Sequence, residues 1–207
     1  MPISTLSRMS VPLEGESSGE GLLHPKLKYR FRVIFENFGH NAPATELTKQ
    51  VINCSRPSLE HEHIEIHVYN SRVNLVGKHS WQPIQMEVRD DSSGAVQKVV
   101  GEQLQRQFDH YNQSSPVAGE DYKFNARLQI LDGGNGAYAP TALEEWSLLG
   151  CYIQSSDFNQ LDYTASDVVT ISLTLRFDNA VHTPIETGVG ADVGRRSGSM
   201  ITGVNGL

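Results

Sequence analysis

Apolar and polar residues alternate one for one through segment after segment of this chain, and a period of two admits few folds. Val169, Ile171, Leu173, Leu175 and Phe177 alternate with Thr170, Ser172, Thr174, Arg176 and Asp178. Successive side chains of a strand point to opposite faces, so this run predicts a strand with one buried face. Tyr29, Phe31, Val33 and Phe35 alternate with Arg30, Arg32, Ile34 and Glu36 in the same way. Tyr122, Phe124, Ala126, Leu128 and Ile130 alternate with Lys123, Asn125, Arg127 and Gln129. A strand over 145–154 is built around Trp146, Leu148 and Tyr152.

Other runs are shorter or less regular. Residues 46–54 read as a strand ending before Pro57, although Leu47, Val51 and Ile52 do not alternate strictly. Glu62, Ile64, Ile66 and Val68 oppose His61, His63, Glu65, His67 and Tyr69. With the run from Arg72 to Gly77, joined at Asn70 and Ser71, they predict a long hairpin. A further strand covers 81–88, and Pro83 places its start at an edge or a bend.

One segment changes period. Val96, Val99, Val100, Leu104, Phe108 and Tyr111 recur at helical spacing. Ser92 or Ser93 is the expected cap, and Asp90 and Asp91 suit the positive end of the helix dipole. Glu102 and Arg106 stand four apart, and Pro116 and Gly119 mark the expected end. Gly101 weakens the helix by about 1 kcal/mol relative to Ala, so it should need a sheet to dock on. Val96, Val100, Leu104, Phe108 and Trp146 are the expected docking contacts. The whole predicts a mainly β protein, an antiparallel β-sandwich or barrel of seven strands with one packed α-helix.

Composition sets the limits of that body within 207 residues. Residues 1–27 are rich in Ser, Gly, Glu and Pro and read as a flexible arm; they lack the apolar surface to offset ordering entropy. Residues 28–179 form the expected domain. Residues 180–207 read as a tail punctuated by Gly188, Gly190, Gly194, Gly198, Gly203 and Gly206. The formal charge of -7 argues against a tight grip on nucleic acid, which needs a basic face to neutralise phosphates. The N-terminus has no apolar run that would make a secretory signal, and no stretch approaches the roughly 20 apolar residues that span a bilayer. A cytoplasmic protein without membrane insertion is expected. Cys54 and Cys151 read as small buried apolar residues, not as a disulfide framework.

Residues with chemical potential are few. His61, His63, Glu65 and His67 share one face of a strand, where a His-x-His pair can hold zinc. Spread over roughly 20 Å at 3.3 Å per residue, only adjacent pairs could share an ion, and the wet face of a hairpin is the plainer reading. The glycines at 133–136 lack the Gly-Lys-Ser/Thr ending of a phosphate loop, and those at 188–194 miss the dinucleotide spacing. No Gly-x-Ser-x-Gly elbow is present. No catalytic residue, metal site or cofactor is expected, and Trp81 and Trp146 read as packing residues.

The order of these elements and several local motifs resemble the tail tube proteins of contractile-tailed, T4-like bacteriophages. The opening strand YRFRVIF, the Asn53-Cys54-Ser55-Arg56-Pro57 exit and the stretch from Asn70 through Asn74 and Gly77 to Trp81 carry the likeness. Asp90-Asp91, the helix, Trp146-x-Leu148-x-Gly150-Cys151-Tyr152 and the closing Phe177-Asp178 continue it, over residues 28–179. The resemblance implies a virion structural protein, not an enzyme. Its subunits would form hexameric rings stacked into a hollow tube inside a sheath, assembled in the host bacterial cytoplasm. Expected partners are further copies of the chain, the tail sheath protein, baseplate and tail terminator proteins, the tape measure protein, and genomic DNA passing through the lumen. It also implies ring-to-ring contacts through the hairpin, at Asn70, Ser71, Arg72, Asn74, Gly77 and Lys78. Alternatives are the tube of a tailocin or type VI secretion system, a tube-initiating baseplate protein, or a small ligand- or metal-binding β-barrel domain.

Overall fold

A computed structural model describes residues 25–39, 45–132 and 140–183. The described elements run β1 (Phe31–Glu36), α1 (Thr45–Gln50), β2 (Val51–Cys54), β3 (Ser58–Val68), β4 (Ser71–Gln82), β5 (Ile84–Arg89), α2 (Ala95–Gln107), a 3-10 turn (Gly119–Asp121), β6 (Phe124–Leu131), β7 (Ala142–Asp157), β8 (Thr170–Arg176) and β9 (Asn179–Thr183). Every described strand pairing is antiparallel. Seven strands follow the order β1-β6-β7-β8-β5-β2, with β9 also on β7; β3 and β4 form a separate two-stranded hairpin. The protein is mainly β and antiparallel, as its alternating runs predict.

Strand β7 joins the two halves of the body. Its first part pairs with β6 on one side and β9 on the other, and its last part pairs with β8. Its inward positions are Glu144, Trp146 and Leu148, then Cys151 and Ile153. Even numbers give way to odd at Gly150, whose φ of +67° admits the extra residue of a bulge. The sequence reading put Tyr152 on the face of Trp146 and Leu148; the bulge turns it to the opposite face and Ile153 takes its place.

The core is one apolar cluster. Val33 and Phe35 come from β1, Ile84, Met86 and Val88 from β5, Phe124, Ala126 and Leu128 from β6, and Ile171, Leu173 and Leu175 from β8. Each large side chain so buried contributes about 1.5–3 kcal/mol. Trp81 packs edge-on to Trp146 at 6.4 Å and tilts against Phe177 at 5.7 Å. Phe35, Phe38 and Phe124 make a second aromatic group, with centroids 4.7–6.3 Å apart.

Helix α2 lays Val96, Val99, Val100 and Gln103 into this core. Leu104 packs on it partly buried, and Phe108 is half-buried at the helix end. Gln103 was not legible as a core residue. Its amide accepts from Gly39 N–H at 3.0 Å and donates to Tyr122 O at 2.7 Å, which makes its burial tolerable. Gln107 holds both backbone groups of Ile153, at 2.8 and 2.9 Å. Arg106 donates to the carbonyls of Asn37, Gly39 and Asp121.

Several expected boundaries move. The stretch 46–54 is helix α1 and then β2, because Leu47 is fully buried by packing on a helical turn beside α2. The described residues therefore hold two α-helices where one was expected. Trp81 belongs to β4, which runs unbroken from Ser71 until Pro83 interrupts it; β5 starts only at Ile84. Gly94, not a serine, occupies the N-cap of α2; Asp91 Oδ1 accepts Val96 N–H at 3.0 Å instead. The helix stops at Gln107, well short of Pro116. Phe108 turns extended, and the Asp109 carboxylate takes the N–H groups of Tyr111 and Asn112, competing with the helical pattern and leaving Tyr111 exposed. Order also continues past residue 179: β9 pairs with β7 and buries Ala180. The arm up to residue 24, the glycines at 133–136 and the tail from 184 lie outside the described residues.

Candidate assembly surface

The β3–β4 hairpin stands apart from the seven-stranded sheet. Eleven residues of β3 lie against twelve of β4, giving a ribbon about 35 Å long. The turn sits at Tyr69 and Asn70, where Tyr69 adopts φ +46°. Leu59 and Trp81 pair at the base and pack on the core, which anchors the ribbon. Toward the tip neither face is covered by the described residues.

The two faces differ in chemistry. Ile64 pairs with Leu75 and Ile66 with Val73, and Val68 continues the same face. All five are apolar and remain 43–51 % exposed. An uncovered apolar stripe of this size on a two-stranded ribbon is a mark of an interaction surface. The opposite face carries His61, His63, Glu65 and His67, with Arg72 donating to Glu65 at 3.0 Å. His61 and His79 face each other across the ladder with ring centroids 6.3 Å apart. No group of three or more potential metal ligands gathers among the described residues.

The sequence-predicted contact residues lie in this ribbon. Asn70 is in the turn; Ser71, Arg72, Asn74 and Lys78 are exposed on β4; Gly77 is half-buried. Ser71 Oγ donates to Val68 O at 3.1 Å and closes the turn. Register shifts by one between His61 and His63, so Gly77 and Lys78 together face Glu62. A Cβ at Gly77 would lie 2.9 Å from Glu62 O, so the bulge requires glycine there. The apolar stripe itself was visible as alternation in β3, but its continuation onto Val73 and Leu75 depends on the register set by the turn at Tyr69 and Asn70, where the sequence reading put the join at Asn70 and Ser71.

A second site ties the body together. Glu144 is buried on β7, and its carboxylate receives Lys26 at 2.5 Å, Arg56, and the Trp146 indole N–H at 3.0 Å. His182 stacks on Trp146 at 4.1 Å, with Nε2 3.0 Å from Glu144 Oε1 but without hydrogen-bond geometry. Burial opposes ionisation of Glu144, but the Lys26 and Trp146 hydrogen bonds and the Arg56 and Lys26 charges prevail, lowering its pKa to about 2. Lys26 precedes β1 and Arg56 follows β2, so one carboxylate links the two ends of the sheet path. Burial pushes both thiols, Cys54 and Cys151, up to about 12, as expected of packing residues.

No protein-family model matches the chain, and no curated protein sequence does. Solved structures match its fold. A chain of the extracellular contractile injection system described as "PVC sheath/tube terminator in extended state" is 17 % identical, with a TM-score of 0.55, covering 79 % of this chain and 99 % of that one. A chain of the anti-feeding prophage cap, described as "AFP tube terminating cap", is 14 % identical with a TM-score of 0.55, covering 79 % and 94 %. A chain of the "PVC sheath-tube complex in extended state" is 14 % identical with a TM-score of 0.53, covering 78 % and 93 %. The fold is one shared with chains of the PVC contractile injection system and of the anti-feeding prophage cap.

Proposed function

We propose that this chain is a non-enzymatic structural subunit of a contractile-tail tube, closing into hexameric rings that stack around a lumen. The uncovered apolar face of the β3–β4 hairpin carries this reading. Covering the remaining exposed half of Ile64, Ile66, Val68, Val73 and Leu75 contributes about 1 kcal/mol per side chain, a sizeable share of an inter-ring contact. Asn70, Ser71, Arg72, Asn74 and Lys78 supply the polar rim around it.

The sheet supports ring closure. Strands β1 and β2 each have one described partner, β6 and β5, so each offers an open edge. Open edges invite uncontrolled pairing, and closure of a ring removes them. Heterologous stacking of rings then yields an open-ended filament. In such a particle the partners are further copies, the sheath, the baseplate and terminator proteins and a tape measure protein. The net charge of -7 lets DNA, where it is the cargo, pass without tight phosphate contacts. The virion tail of a phage, a tailocin, a type VI system and an extracellular injection particle all remain homes for this subunit.

A second reading places the chain at an end of the tube, as an initiator on the baseplate or a terminator. The likeness to chains of structures described as a sheath/tube terminator and a tube terminating cap favours it. The test that separates the two is sedimentation of the natural chain beside the variant Ile66→Glu, Leu75→Glu, since a chain confined to a tube end stops at one ring without the substitutions. Sedimentation velocity of the natural chain should show species larger than one ring, and the variant should stop at single rings or monomers. Equally long assemblies from the variant would remove the hairpin from the stacking contact.

A further inference from the structure

The sequence reading set a metal aside because the histidines of β3 are strung out along one strand. The register of the ribbon adds a residue which that reading did not count. His79 lies eighteen positions beyond His61 in sequence and directly opposite it in the ladder. Side chains opposite each other in an antiparallel pair share a face, with Cβ atoms about 4.5–5.5 Å apart. The two imidazole rings stand 6.3 Å apart at their centroids, tilted by 52°. His61 and His63 lie about 6.6 Å apart along one strand, and the register shift falls between them. The cross-strand pair is therefore the closer one.

A zinc ion takes an imidazole nitrogen at about 2.0–2.1 Å in tetrahedral geometry, which puts the centroids of two such rings roughly 5 Å apart. The pair needs to close by only about 1 Å to reach that spacing. Both side chains are exposed, so rotation about their side-chain bonds closes the gap without moving the backbone. Glu60 and Glu62 flank His61, and Lys78 precedes His79, so the local charge is only slightly acidic. Glu60 is engaged, accepting from Gln82 at 3.0 Å. The two imidazoles thus choose the ion, and imidazole suits zinc, copper and nickel, whereas magnesium and calcium take oxygen ligands. The position gives a bound ion a task. Beside the pair the ladder is broken, where Glu62 faces both Gly77 and Lys78, and a bulge bends and twists its strand.

We propose that His61 and His79 form a two-imidazole clip for a divalent transition-metal ion of the zinc type. The ion ties β3 to β4 next to the bulge and stiffens the root of the ribbon, and water fills its remaining positions. The clip does not rest on the tube reading.

The experiment is isothermal titration of the full chain with zinc chloride, with magnesium chloride as the control. The natural chain should take up one equivalent of zinc that the variant His61→Gln, His79→Gln does not, and magnesium should show no such difference. His79→Gln alone should weaken that uptake at least tenfold, and His63→Gln less than threefold. All three side chains are exposed, so the variants should keep the fold, which far-UV circular dichroism checks. Zinc should also slow amide hydrogen exchange at residues 60–63 and 76–80 at least threefold in the natural chain, and not in the double variant. Equal zinc uptake by the natural chain and the double variant would overturn the proposal. So would a loss in His63→Gln as large as in His79→Gln, since that moves the ion to the His-x-His pair within β3. Uptake through His61 and His79 with unchanged exchange would remove the stiffening role.

Discussion

Gly150 offers the sharpest test of how β7 serves both halves of the body, through substitution by alanine. Two costs add. A non-glycine residue in the left-handed region at φ +67° costs about 1–2 kcal/mol. The new Cβ would lie 2.9 Å from Asp178 Cγ and overlap its Oδ2, so the carboxylate must leave Lys123, which it meets at 2.5 Å. That ion pair is well exposed and is worth at most about 1 kcal/mol. The alanine restricts the unfolded chain and returns about 0.5 kcal/mol. The net expectation is a loss of about 2 kcal/mol, a drop of roughly 4–8 °C in Tm for a chain of this size. Gly101 supplies the control, because a Cβ there meets nothing within 4 Å on an exposed helix position. Gly101→Ala should gain about 0.5–1 kcal/mol. Urea unfolding of both variants measures the two signs. Adding Asp178→Ala to Gly150→Ala should recover only the overlap part. A neutral Gly150→Ala would refute the bulge as the device that turns β7 inward at Cys151 and Ile153.

Other outcomes follow from the same contacts. Val100→Asp buries an unpaired charge at a fully buried position and should abolish soluble folded protein, read by circular dichroism and gel filtration. Gln103→Leu keeps the volume but strands Gly39 N–H and Tyr122 O, costing about 2–4 kcal/mol in urea unfolding. Glu144 has a folded pKa below its unfolded value of 4.5, so its stabilisation is present above about pH 4.5 and is lost as pH falls toward 2. Allowing for the half-exposed cations that hold it, the natural chain should lose about 2 kcal/mol more than Glu144→Gln between pH 5 and pH 2.5.

The sequence revealed most where one physical rule acted alone. The run from Ile171 to Leu175 is buried on one side, and its period of two follows directly. Val96, Val99 and Val100 do the same for α2. Legibility failed where tertiary context overrode local pattern. Leu47 buries itself through a single helical turn that no strand or helix period could announce. Tyr152 was misplaced because Gly150 shifts the count by one, and a glycine does not declare from sequence whether it bulges or ends a strand. Gln103 and Glu144 are polar types that normally face water, and only their partners, distant in sequence, explain their burial. The hairpin was legible as two extended runs. Its apolar stripe was visible along β3, but its continuation onto Val73 and Leu75 was not, since that matching needs the turn to sit at Tyr69 and Asn70, one residue earlier than the join expected at Asn70 and Ser71.

The most direct test of the tube reading is negative-stain electron microscopy of the purified chain over a concentration series. The account predicts six-fold rings that give way to hollow stacked tubes as concentration rises, with Ile66→Glu, Leu75→Glu stopping at rings. Monodisperse monomers at every concentration, with the natural chain and the variant indistinguishable, would contradict it.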